Sequence, residues 1–417
     1  MLVAAGPLLA GEFIAGADFS HLTFFEDRGI VYKDSGTPRD ALEILKDHGL
    51  NCVRLRLFTS SAAQAQADPY DFTNNLDYTL PLAVRVKNAG LEFMLDFHYS
   101  DTWADPSHQT KPGAWSGLDF DQLVQQMRGY NSNCIAAFAA AGAMPDYVQI
   151  GNEITGGLLW PDGQVGGGND NATQWSQLGE LMKAAVQGIH DAAGTNQPKI
   201  IVHIDRGGDW NSTRWFFDNL NQQSVPFDII GESYYPWWHG DLDALQNCLT
   251  NAASRYDKPV IVAETAFPWG SSTNIIGIPA STNGQVQFVT QLANVVKGVP
   301  GGKGLGIVWW GTEYVRLFGY NLAGFDRRSF FNSTGSVLPV AGAFGELAAP
   351  AAINSRLDGA NLILDWPLSG AGLALARSSN LADWETVTND IQITGTAFTV
   401  TLPLETGADS FYRLQSN

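Results

Sequence analysis

The segment from Thr37 to Phe58, TPRDALEILKDHGLNCVRLRLF, changes its hydrophobic period halfway along. Ala41, Leu42, Ile44 and Leu45 fall on one face of a helix, and Gly49 ends the run. Beyond it Val53, Leu55 and Leu57 alternate with Cys52, Arg54 and Arg56, the period of a strand. Thr37 followed by Pro38, with Asp40 three residues after the threonine, predicts a helix capped by Thr37. Helix, short loop and strand make one α/β unit.

The unit recurs. LPLAVRVKNAGLEFMLDFHYSD carries a helix, a stop at Gly90 and a strand from Met94 to His98. AAFAAAGAMPDYVQIGNE repeats it, and LMKAAVQGIHDAAGTNQPKIIVHID leads to a strand from Ile200 to Asp205. FDIIGESYYPWW supplies a strand behind a weak helical stretch. LTNAASRYDKPVIVAETAF delivers Val260 to Glu264, and QFVTQLANVVKGVPGGKGLGIVWWG delivers Leu305 to Trp310. With EFIAGADFS at the start, eight strands over about 330 residues predict a (β/α)8 TIM barrel, its active site at the C-terminal strand ends. A doubly wound open sheet is the alternative, but no GxGxxG follows a strand.

After FGELAAP the text turns to short alternating runs (NLILDW, GLALARS, WETVTN, IQITG, AFTVTLPL, SFYRLQ) separated by Gly, Asn, Asp and Ser. These predict a small all-β C-terminal module. The expected division is residues 1–12 as a leader or N-terminal arm, 13–347 as the barrel and 348–417 as the β module. Trp366 and Trp384 are the module's candidate carbohydrate contacts.

Composition narrows the class. The net charge of −18 argues against nucleic acid, acidic lipid and acidic polysaccharide, and leaves a neutral ligand. Thirteen tryptophans supply flat faces on which sugar rings stack, although most tryptophans in any protein are core. Cys52, Cys134 and Cys248 are far apart, allow at most one disulfide and form no CxxC; no HExxH is present. No stretch is long enough to span a bilayer. The opening MLVAAGPLLAGEF looks like the apolar part of a secretory signal without its basic start. The expectation is a secreted or periplasmic bacterial monomer, with no nucleic-acid partner, membrane insertion, cofactor or metal.

Polar or aromatic residues stand at every expected strand end. They are Asp18; Arg54 and Arg56; Asp96 and His98, with Asp101 and Trp103 in the next loop; Asn152 and Glu153; His203, Asp205 and Arg206; Glu232, Tyr234 and Tyr235; Glu264; and Trp309 and Trp310. Two glutamates, Glu153 on the fourth strand and Glu264 on the seventh, would face each other across the mouth. Such a carboxylate pair suits glycoside hydrolysis, provided their environments separate their pKa values. Arg54, with a hydroxyl from Tyr234 or Tyr235, would hold Glu264 ionised, while Glu153 stays protonated in a drier setting. Asn152 is placed to bond a sugar hydroxyl.

The motifs GADFSHLTFFEDRG, DFHYSDTWADPSHQTKPGAW, IGNEITGGLLWPDG, ESYYPWW and VAETAFPW resemble the endo-β-1,4-galactanases of glycoside hydrolase family 53, over about Phe13 to Leu347. The resemblance implies retaining hydrolysis within the neutral β-1,4-galactan side chains of pectin. It makes Glu153 the acid/base and Glu264 the nucleophile. It sets Arg54, His98, Asn152, Tyr234 and Trp310 around them, and has Asp18, Asp101, Trp103, Trp115 and Trp160 shape the cleft. Where that family commonly reads Trp-Glu-Pro after the eighth strand, this sequence reads VWWGTEYVRLFG, which displaces Glu313. Some bacterial members hold calcium in the loop after the seventh strand. Here that loop, PWGSSTNIIGIPASTNGQ, has no Asp or Glu, and no calcium is expected there. Two other readings stand: a retaining glycanase of the same clan acting on mannan, xylan or β-glucan, and a non-catalytic glycan-binding protein.

Overall fold

The computed structural model describes residues 13–348, 351–370, 372–394, 397–404 and 410–416, so the expected leader or arm at 1–12 lies outside the described residues. Eight parallel strands close into a barrel in chain order. They are β1 (Ile14–Asp18), β2 (Cys52–Leu57), β3 (Glu92–Phe97), β4 (Tyr147–Ile150), β5 (Lys199–Ile204), β6 (Ile229–Tyr234), β7 (Val260–Thr265) and β8 (Gly304–Trp309). A helix precedes each strand from β2 onward: α1 (Ala41–Asp47), α2 (Leu76–Asn88), α3 (Phe120–Ala140), α4 (Ala172–Ala193), α5 (Trp210–Gln222), α6 (Leu242–Tyr256) and α7 (Thr282–Lys297). A last helix, α8 (Pro339–Gly345), follows β8.

Strand alternation divides the barrel into two environments. Ile14, Cys52, Met94, Ile201, Ile229, Ile261, Ala263 and Val308 point inward and form a separate apolar cluster. Their outward neighbours, such as Val53, Leu55, Leu95, Val148, Val202 and Val262, join the large core shared with the helices. Further along the same strands the inward positions become polar: Asp18, Arg54, Asp96, Gln149 and His203 are all buried. The apolar cluster therefore closes one end of the barrel, and the polar floor above it faces the C-terminal strand ends.

The helix predicted from Thr37 starts later. Asp40 is its N-cap, accepting from Leu42 N at 2.8 Å, while Thr37 and Pro38 pair with Lys33 and Asp34 in a two-residue ladder. The aspartate supplies the acceptor that an orphan N–H at a helix start requires. The weak stretch before β6 is a full helix, α5. Asp209 caps it, and Thr213, Phe216, Phe217 and Leu220 form its buried face. The three cysteines are free and buried. The loop after β7 folds as an antiparallel hairpin, Gly270–Ile275 with Ile278–Ser281. Among the described residues no helix is long and apolar enough to cross a membrane.

Beyond α8 lie two small antiparallel sheets. One orders Asn354–Asp358, Asn361–Pro367, Ala397–Pro403 and Gln392–Thr394; the other orders Glu385–Thr386, Leu373–Ser378 and Phe411–Ser416. Trp366 is fully buried and stacks on Phe398 with ring centroids 5.7 Å apart, so it is core rather than a sugar platform. Trp384 is half-buried, with the Arg413 guanidinium 4.1 Å from its ring centroid. Lys297, at the end of α7, joins these sheets to the barrel. Its ammonium donates to Leu347 O at 2.7 Å and to Ser369 O, and sits 4.5 Å from the Phe13 ring. The end of α7 and the residue before β1 both lie at the N-terminal end of the barrel, away from the polar mouth. Burial lowers the Lys297 pKa to about 7, so replacing it with Ala should loosen this junction by about 1 kcal/mol near neutral pH, the scale of an ordinary hydrogen bond. Limited proteolysis should then release the sheets beyond Leu347 faster.

Candidate active site

Two backbone irregularities bring the glutamates together. After β4, Gly151 has φ +95°, and a Cβ there would meet Ile154 Cγ2 at 2.6 Å. Glu153 itself is left-handed, with φ +50° and ψ +49°. A non-glycine residue loses about 1–2 kcal/mol in that region, a cost that clusters at functional sites. On β7, Ile261 and Ala263 point inward, so strict alternation sends Glu264 outward. A β-bulge intervenes: Glu232 and Ser233 of β6 pair with Val262 and Glu264 of β7, leaving Ala263 as the extra residue. Glu264 thereby turns into the barrel. One oxygen of each glutamate and one nitrogen of His203 lie within 4.8 Å of one another.

Arg54 is the hub beneath them. Nη1 reaches Asp18 Oδ2 at 2.9 Å and Glu264 Oε2 at 3.4 Å. Nη2 reaches Asp96 Oδ2 and Asn152 Oδ1, each at 2.8 Å, and Nε donates to Gln149 Oε1 at 3.3 Å. The guanidinium is fully buried, so its charge must be met by partners rather than water.

The two glutamates have different surroundings. Burial raises the Glu153 carboxyl well above the ordinary range, and Glu264 and Asp205 add to the rise; the hydroxyl of Ser233 and the charge of Arg54 oppose it. Burial also raises Glu264, but the guanidinium of Arg54 and the Tyr235 hydroxyl, 2.6 Å from Oε1, pull it back. Glu264 is therefore the first of the pair to ionise, and Glu153 keeps its proton.

Several expected site residues act at one remove. Asp18 is fully buried and holds Arg54, with Arg56 Nη2 3.9 Å away, rather than lining the cleft. His98 is buried, donates from Nε2 to Asp96 at 3.0 Å and accepts Ala104 N–H at 2.8 Å. Asp101 fastens loops, accepting from Thr59 Oγ1, Gln64 Nε2 and Gly113 N. Trp115 is buried against Tyr130 of α3, so it packs the helix layer. Tyr234 faces outward, its hydroxyl on Gly240 O and its ring stacked on Phe288; Tyr235 is the residue that meets Glu264. Asn152 is at the centre, its oxygen bound by Arg54 and its amide donating to Ala104 O.

Trp103, Trp160 and Trp310 are half-buried and keep part of their surface open. Trp103 and Trp310 have ring centroids 6.1 Å apart, and Arg56 sits 4.1 Å from the Trp103 ring centroid. Trp160 is anchored by its indole N–H on Gly156 O. Trp309 points the other way, into Phe330 and Phe344. The displaced Glu313 folds inward and accepts His21 N–H at 2.7 Å. Gln149 and Ser233 were not among the expected site residues, and of the two tyrosines left open as donors to Glu264 it is Tyr235 that makes the contact. Alternation counted from inward Ile229 through Gly231 reaches Ser233 and Tyr235, which is the signal that identifies them. Glu153, His203 and Glu264 also have the spacing of a metal triad. Both ring nitrogens of His203 are already bound, by Gln149 and Ser233, so the donor set does not suit one.

Replacing Arg54 with Met should leave Asp18, Asp96 and Glu264 without their shared cation. We expect a loss of about 3–5 kcal/mol, read as a fall in Tm. Protonating the stranded Asp96 and Glu264 relieves their burial, so the deficit against the unaltered protein should be smaller at acidic pH than above neutrality.

The model of glycosyl hydrolase family 53 matches residues 14–344. The chain is 38% identical over 331 residues to the arabinogalactan endo-β-1,4-galactanase A of Aspergillus niger, covering 76% of this chain and 90% of that one. A fungal β-1,4-galactanase structure superimposes with a TM-score of 0.71 at 33% identity, covering 79% of this chain and 98% of the other. The family 53 catalytic domain of Ignisphaera aggregans gives 0.72 at 34% identity, covering 82% and 98%. With a closed (β/α)8 barrel, paired glutamates at the ends of β4 and β7, and a family match over nearly the whole barrel, this chain belongs to glycosyl hydrolase family 53.

Proposed function

We propose that the protein hydrolyses internal β-1,4-galactosidic bonds of galactan side chains with retention at the anomeric carbon. The observation that carries this reading is the pair of buried carboxyls within 4.8 Å of each other. Retaining enzymes hold theirs about 5–5.5 Å apart, whereas inverting enzymes leave about 6.5–9.5 Å for a water. The galactan specificity rests on relatives such as the Aspergillus niger galactanase.

Glu264 attacks the anomeric carbon as a carboxylate while Glu153 gives its proton to the leaving glycosidic oxygen. The C–O bond breaks and a glycosyl ester forms on Glu264. Water then adds to the anomeric carbon, Glu153 takes its proton, and the ester bond breaks. Arg54 and Tyr235 keep Glu264 charged for the first step, and Asn152 faces the sugar. Trp103, Trp160 and Trp310 offer partly open rings for stacking, and Trp238, 66% exposed in the loop after β6, extends the aromatic surface. A net charge of −18 suits a neutral glycan.

The catalytic unit in this reading is residues 13–347, acting as a monomer, and 348–417 is an accessory module. The apolar residues at the start support export from a bacterial cell.

Glu153→Ala with azide and an activated aryl galactoside should yield the β-galactosyl azide, and Glu264→Ala the α-azide, both identified by NMR. Reversed anomers overturn the assignment. Reducing-sugar release should be greatest on galactan in a panel with mannan, xylan and β-glucan; preference for another polymer would overturn the substrate. Tyr235→Phe removes a donor that stabilises ionised Glu264, so its pKa rises. The acidic limb of kcat/KM should move up by about one pH unit, while Tyr234→Phe leaves it in place.

A further inference from the structure

Behind Glu153 runs a chain of polar side chains whose direction is fixed from one end. Gln149 accepts Arg54 Nε at its oxygen, 3.3 Å away, and gives its amide to Asp96 Oδ1 at 2.6 Å. A guanidinium only donates and a carboxylate only accepts, so the amide cannot be flipped. The same amide nitrogen lies 2.9 Å from His203 Nδ1, closer than Asn152 Oδ1 at 3.1 Å, and because an amide nitrogen only donates, the shorter contact makes Nδ1 an acceptor. The backbone N–H of Glu153 points at that nitrogen too, at 3.4 Å. Neutral His203 therefore carries its proton on Nε2, and burial with Arg54 nearby lowers its pKa well below the ordinary value. Nε2 is 2.8 Å from Ser233 Oγ, and Ser233 Oγ is 2.6 Å from Glu153 Oε1. With its oxygen occupied by the histidine proton, the serine hydroxyl has its own proton to give.

We infer that Ser233 and His203 are positioning residues that reserve Oε1 of Glu153 as a permanent acceptor and leave Oε2 as the only oxygen that carries the catalytic proton. The inference rests on Glu153 being the acid/base. Glu153 alternates between acid and carboxylate in each turnover, and a carboxyl free to rotate would present its proton on either oxygen. A hydroxyl donor to Oε1 tolerates both states: it meets the C=O of the acid and one oxygen of the carboxylate. It favours the carboxylate, since a hydrogen bond to a charged acceptor is the stronger. Its main effect is on the second half of the reaction, when ionised Glu153 must take a proton from water. The other groups facing Glu153 are Glu264 from β7, Asp205 from the end of β5, Arg54 from β2 and Tyr235 from β6. Glu264 and Asp205 are acidic and oppose ionisation, which leaves Ser233 as the close hydrogen-bond donor that favours it.

Ser233→Ala should raise the Glu153 pKa and move the basic limb of kcat/KM upward by about one unit. It should also slow deglycosylation about tenfold, so that an aryl galactoside with a good leaving group shows a burst. Azide, which needs no general base, should restore much of the lost turnover. Ser233→Thr, which keeps a hydroxyl, should retain the original limb. A basic limb that stays in place or moves down, or a loss of kcat without burst or azide rescue, overturns the inference. Independently of any variant, the imidazole 15N spectrum of the unaltered protein should show His203 neutral and protonated at Nε2; an Nδ1–H tautomer overturns it. Failure of Glu153→Ala to give the β-azide would instead refute the acid/base assignment itself.

Discussion

A single buried guanidinium sets most of this site. Arg54 is cut off from water and has three carboxylates, an amide oxygen from Asn152 and another from Gln149 around it. Each partner comes from a different place on the barrel: β1, β3, β7, the end of β4 and β4 itself. A charge buried that deeply is tolerated only if the surrounding strands keep their heights and registers. The same contacts decide which glutamate ionises, because the guanidinium touches Glu264 directly and Glu153 only through space. Fold stability and catalytic asymmetry therefore draw on one interaction.

The barrel departs from regular geometry where its carboxylates are delivered. Glu153 occupies a left-handed conformation, and the bulge around Ala263 turns Glu264 to a face that alternation denies it. Regular strands alone would point the two side chains apart. The strain at Glu153 is held by its next two neighbours in the chain: Ile154 packs in the core, and Thr155 bonds Asp205 at 2.5 Å.

The fold was legible in the sequence because each α/β unit announces itself by a change of period. Both glutamates were legible as carboxylates that end apolar runs. The features that escaped are those a one-dimensional period cannot express. Tyr234 and Tyr235 were both open as the donor to Glu264 and the family resemblance favoured Tyr234, although counting from Ile229 favours Tyr235; Ser233 drew no notice because a lone serine in a strand carries no pattern. Trp115 and Trp366 look like cleft or binding tryptophans in the text; only their neighbours, Tyr130 and Phe398, reveal them as core. Asp18 and His98 stand where site residues are expected, yet each bonds another buried side chain. The sequence marks the polar floor of the barrel but not which of its members reach the cleft.

In the proposed double displacement the same carboxyl of Glu153 gives a proton and then takes one back, and burial alone serves only the first task. A fully apolar pocket would hold the proton too firmly for the return step, and a strong cation beside it would strip the proton before the first. The structure places intermediate elements there: a neutral hydroxyl against Oε1, backed by a neutral imidazole, with Arg54 kept on the Glu264 side. Neutral donors shift a pKa less than full charges do, and so suit a group that has to work in both directions. Under the proposed mechanism the division of labour is physical rather than chemical: the charged donor serves the carboxylate that stays ionised until it bonds, and the uncharged relay serves the one that alternates.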